Sequence, residues 1–139
     1  MTEIERARSL LSEEVNLVIV RGSVVTTYSD RGIKALLSVI KDNKGIMAEA
    51  TIADKVVGKA AAFLIACGNA KEVYAEVLSS GAADVLRKCK IPFSFGILTE
   101  KIVNRERNGI CLMESAVQNI DDVNEAYSIL QDKFKTIGS

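Results

Sequence analysis

A chain of 139 residues with 48% hydrophobic and 26% charged content fits one ordered domain with a packed core and leaves little room for a second. Eighteen basic residues balance eighteen acidic ones, which excludes the net field that holds a nucleic-acid backbone or an anionic membrane. Histidine is absent and the three cysteines, Cys67, Cys89 and Cys111, form no CxxC pair, which excludes Ser-His-Asp and Cys-His catalysis, imidazole zinc sites and thioredoxin-like motifs.

In chain order, Ile4, Ala7, Leu10 and Leu11 recur at helical spacing and predict an opening helix over about 3–14. The first twelve residues carry charges and no apolar h-region, so neither a signal peptide nor a membrane span is expected, and the odd cysteine count fits a reducing cytoplasm. Leu17 to Val20 and Val24 to Tyr28 are β-branched runs around Arg21-Gly22-Ser23, the pattern of an antiparallel hairpin with a three-residue loop. Ile33, Leu36, Leu37 and Ile40 predict a second helix ended by Asp42 to Gly45. Ile46 to Ile52 reads as a strand, Asp54 as an N-cap, and Lys55 to Cys67 as a helix closed by Gly68.

Glu72 to Leu78 alternates as a strand, Ala82 to Lys90 returns as a helix, and Phe93 to Leu98 reads as the next strand. Lys101 to Gly109 is polar and turn-prone, and Cys111 to Val117 suggests a short helix. Ile120, Val123, Tyr127, Leu130 and Phe134 then form an apolar stripe on a last helix over about 120–136, directed at the domain's own sheet or at a neighbouring subunit. The alternation of strands and helices describes a single α/β domain over 1–139, a three-layer α/β/α arrangement with a mixed sheet and a core over about 15–117.

Two segments carry candidate chemistry. Gly58-Lys59 matches the GK pair of a phosphate-binding loop, but Ala53 and Ala60 stand where the glycine and hydroxyl of that loop belong, so the motif fails. Asp54, Lys55 and Lys59 instead suggest an anion site: two cations in a helix's first turn oppose the helix dipole, and a phosphate or carboxylate would relieve that conflict. In the second segment, Asn104, Arg105, Glu106, Cys111 and Glu114 offer polar side chains able to orient a ligand, Arg105 supplies a bidentate fork, and Cys111 near a helix start is a candidate nucleophile. Asp54, Cys111 and Glu114 are the catalytic candidates. Cys67 and Cys89 are assigned to packing, Asp121 and Asp122 to capping the last helix, and Glu49 and Glu76 to solvent.

The segments Ala53 to Ala62, Glu72 to Val77 and Asn104 to Glu114, in that order, resemble a small prokaryotic family known only as a domain of unknown function, whose members look like cytidine deaminases in fold. The resemblance implies a five-stranded mixed sheet in a three-layer domain. It does not imply deamination: zinc deaminases place His-Ala-Glu and Pro-Cys-x-x-Cys at two helix starts, whereas Asp54-Lys55 and Ser80 to Ala83, read as the corresponding starts, hold no ligand set.

The expected function is a zinc-free deaminase-like domain that binds a small anionic or nucleotide-like molecule, with no metal and no cofactor. The alternatives are a histidine-free hydrolase or transferase using Cys111 or Asp54, and an oligomeric scaffold such as a homodimer. Zinc needs convergent thiolates or imidazoles, so the purified protein is expected to contain no stoichiometric zinc. One chelator-resistant zinc per chain in elemental analysis would overturn that expectation.

Overall fold

The β-branched runs form the hairpin they predict at one border of the sheet. β1 (Leu17–Arg21) pairs antiparallel with β2 (Val24–Tyr28), Leu17 opposite Tyr28 and Arg21 opposite Val24. Arg21 thus belongs to the strand, and the loop is the two residues Gly22 and Ser23. Gly22 has φ 62°, the left-handed region that a glycine enters without steric cost. β3 (Thr51–Val57) lies antiparallel to β1, and β4 (Glu72–Ser79) and β5 (Phe93–Thr99) follow in parallel, so the mixed sheet runs β2-β1-β3-β4-β5. The computed structural model that shows this arrangement describes residues 1–30, 33–100 and 112–137.

Helices α2 (Lys34–Asn43), α3 (Lys59–Cys67) and α4 (Ser80–Lys88) connect successive strands, with α1 (Glu3–Ser9) before the hairpin and α5 (Leu112–Ala116) and α6 (Val123–Ile137) after the sheet. α1 lays Ala7 against Val18, Val20, Ala53 and Tyr74 and encloses a small core. It is fixed there by Glu3, whose carboxylate accepts from Lys71 Nζ at 2.6 Å, Thr51 Oγ1 at 3.1 Å and Gly22 N at 2.8 Å. The main core joins Leu17, Ile19, Ile52, Val73 and Ala75 of the sheet to residues of the other helices.

Helix α3 occupies the centre of that core. Ala60 through Ile65 are all buried, because α2, α4 and α6 surround a helix that already stands over the sheet. A helix that is apolar all round requires such surroundings. The stripe of α6 meets this need: Ala126 and Leu130 are fully buried, and its principal packing partner is α3 rather than a strand.

Three boundaries depart from the sequence expectation. α1 stops at Ser9, and Ser12 takes the chain through a turn, accepting from the N–H groups of Glu14 and Val15. The third strand begins at Thr51 rather than Ile46, which sits in a 3-10 turn (Lys44–Ile46), and Glu49 breaks the run at φ 60°. Consequently Asp54 and Lys55 are strand residues, and the helix starts only at Lys59. The sequence could mislead here because a carboxyl after an apolar run is the usual mark of a helix start. Cys67 and Cys89 are free, partly buried and packed against the main core.

Gly68 shows how close the packing is. A Cβ there would lie 2.8–2.9 Å from the Cε, Sδ and Cβ of Met47, and the Met47 Cβ cannot swing away. Gly68→Ala is therefore expected to cost about 1–3 kcal/mol, measured as a lower midpoint in urea denaturation with an unchanged slope.

Candidate functional site

The first turn of α3 lacks a capping side chain of its own, since Gly58 occupies the N-cap. The acceptor comes from α5: both carboxylate oxygens of Glu114 lie near Ala60 N, at 3.3 and 3.4 Å, and Lys59 N donates to the same carboxylate. The Lys59 ammonium donates to Gln118 O at 2.8 Å and stands 5.7 Å from the centre of the Phe63 ring. Burial pushes the Glu114 carboxyl above its usual range, while the two N–H groups and the Lys59 charge oppose that rise. An internal carboxylate thus occupies the helix N-terminus where the sequence suggested a bound anion.

The structure brings together only part of the set expected from sequence. Lys59 and Glu114 converge. Asp54 lies within the sheet, 7% exposed, on a strand row between Leu17 of β1 and Ala75 of β4. Lys55, the next strand residue, is not in a helical turn with Lys59, so the proposed pair of first-turn cations does not form. Asn104, Arg105, Glu106 and Cys111 fall outside the described residues. Asp122 caps α6 by accepting from Glu125 N at 2.8 Å, but Asp121 reaches Lys88 Nζ at 3.7 Å instead.

A cleft of about 320 Å³ lies between α3, α4 and the residues just before α6. Phe63 and Val85 give it an apolar wall, Gly81 leaves one flank without a side chain, and Lys59, Arg87 and Lys88 bring cations to it. Arg87 is shared between Asp84 Oδ1 at 3.2 Å and the face of Phe93 at 5.5 Å. Arg87 and Lys88 are not among the site residues expected from the sequence. Their signal was present in the spacing of Asp84, Arg87 and Lys88, which places all three on one side of a helix. Among the described residues no three His, Cys, Asp or Glu side chains are grouped to hold a metal ion, and no helix is long and apolar enough to cross a membrane.

Asp54 has consequences for stability rather than for the cleft. Burial raises its carboxyl to about 7, against the N–H groups of Val56 and Lys55 that favour the charged form. In the unfolded chain the same group titrates near 4. The native state therefore holds an extra proton between those values, and stability falls by up to about 1.4 kcal/mol per unit as pH rises from about 4 to about 7, then levels off. Asp54→Asn removes the titration. Its thermal midpoint relative to the parent is expected to improve between about pH 4 and about pH 7 and to level off above that, and a difference independent of pH would contradict the assignment.

No curated protein matches this chain. A crystal structure of a DUF1893 family protein from Thermotoga maritima superposes with a TM-score of 0.80 at 25% identity, covering 86% of this chain and 81% of that one. The family model described as a domain of unknown function (DUF1893) matches residues 6–134, nearly the whole folded chain, and the protein belongs to that family.

Proposed function

We propose that this protein is a zinc-free, three-layer domain of deaminase-like architecture that binds a small anionic, nucleotide-like ligand in the cleft between α3 and α4. The observation that carries the reading is the pairing of an apolar wall, Phe63 and Val85, with three cations, Lys59, Arg87 and Lys88, around one cleft. A ring system suits the wall and a phosphate or carboxylate suits the cations. The partners that now hold Arg87 and Lys88 are exposed carboxylates, Asp84 and Asp121. Exposed ion pairs contribute little, so an incoming anion can replace them at small cost. The sheet order, with α1 on one face and α2 to α4 on the other, supports the deaminase-like reading of the scaffold.

The geometry gives less support to an enzyme built on Asp54, whose carboxyl faces strand N–H groups inside the sheet. Glu114 is committed to the start of α3, where it acts as a structural acceptor.

Thermal denaturation with a panel of nucleoside mono- and diphosphates and with inorganic phosphate tests the reading, because a ligand selective for the folded state raises the midpoint by mass action. At least one nucleotide is expected to do so. Arg87→Ala is expected to weaken that ligand about tenfold, the loss of one charge-assisted hydrogen bond, with little change in the ligand-free midpoint since the side chain is exposed. The absence of any shift across the panel would remove the support for this reading.

A further inference from the structure

We propose that β5 is a self-pairing edge: two copies of this chain join their β5 strands antiparallel, about a two-fold axis at Gly96, so that one sheet runs through both molecules. β5 ends the sheet, and among the described residues no strand lies beyond it. Such an edge offers backbone donors and acceptors to another chain, and natural proteins guard it with charge, proline or shortness. Phe93 to Thr99 has seven residues and neither charge nor proline. Phe95, Ile97 and Leu98 on it are 43%, 63% and 50% exposed, and the strand row that links Ile97 through Val77 to Val56, itself 45% exposed, extends the apolar surface inward.

The sequence of the strand is suited to meet itself. Antiparallel pairing centred on Gly96 sets Phe95 of one copy opposite Ile97 of the other, twice, an aromatic and β-branched pair of the favourable kind. It sets Ser94 opposite Leu98, and Glu100 opposite Pro92 rather than opposite a second Glu100, so no like charges face each other. Gly96 leaves no side chain at the axis. Its place is fixed from within, because a Cβ there would lie 2.9 Å from the Glu76 carbonyl oxygen on β4. A two-fold pairing also closes on itself, whereas joining β5 to the β2 edge of another copy would propagate without end. The apolar stripe of α6 is already engaged by α3 and is not available for this contact.

Light scattering on the intact protein at tens of micromolar is expected to give twice the single-chain mass. Ile97→Lys, placed where the side chain is most exposed, is expected to halve that mass with the far-ultraviolet circular dichroism unchanged. A Phe95→Cys/Ile97→Cys double variant is expected to form a covalent dimer on mild oxidation that the parent, with its own cysteines, does not form. A parent of single-chain mass overturns the proposal, including the case where β5 amides resist exchange because another part of the same chain covers them. A dimer that survives Ile97→Lys overturns it also. Should the lysine variant lose its fold, the cysteine pair decides: the cross-link supports the pairing, and its absence overturns it.

Discussion

Helix α3 is buried on every side, and the rest of the structure is arranged to allow that. Its six consecutive buried residues, Ala60 to Ile65, need apolar neighbours both beneath and above. The sheet supplies the first and α6 the second, through Ala126 and Leu130. Small side chains make the arrangement compact: with Ala60, Ala61 and Ala62 in the first turns, the neighbouring helices approach closely, and the few large groups, Phe63, Leu64 and Ile65, fill the space that remains. The C-terminal helix is therefore part of the core.

Burial of a helix on all sides creates a second demand at its ends, where backbone groups lose water as well as intrahelical partners. Gly68 closes the last turn locally, its N–H bonding to the carbonyls of Ala66 and Leu64. The first turn has no local solution, because Gly58 has no side-chain oxygen, and Glu114 provides the acceptor from a distant segment. The cost of burying that carboxylate is offset by the N–H groups it satisfies and by Lys59 beside it. Asp54 solves a related problem less fully: it accepts from the N–H groups of Val56 and Lys55 on its own strand, and burial outweighs them.

The order of strands and helices was legible in the sequence because each element has its own periodicity, and two β-branched runs around a glycine marked the hairpin, though not that Arg21 belongs to its first strand. Where legibility failed, a residue served a purpose that its type does not advertise. Asp54 in mid-strand carries the signature of a cap, so the third strand was placed five residues early and the third helix four residues early. The stripe on α6 announced a buried face without revealing against what, since an apolar stripe fits a helix as well as a sheet. Of the candidate site, Lys59 and Glu114 were recognisable as polar residues near a helix start, but the bond that brings the Glu114 carboxylate to Ala60 N spans 54 residues and no local pattern encodes it. Arg87 and Lys88 were overlooked because a charged side of an amphipathic helix ordinarily faces only solvent.

The absence of a side chain at Gly58 also bears on the order of events during synthesis. A chain made from its N-terminus has every strand in hand before α5 and α6 emerge. Until then α3 stands with an uncapped first turn and with its outer apolar side open to water. The nascent protein thus passes through a stage in which its sheet can pair while its central helix remains unsheltered, and the closing contacts of Glu114 with Ala60 and of Lys59 with Gln118 join segments 54 and 59 residues apart.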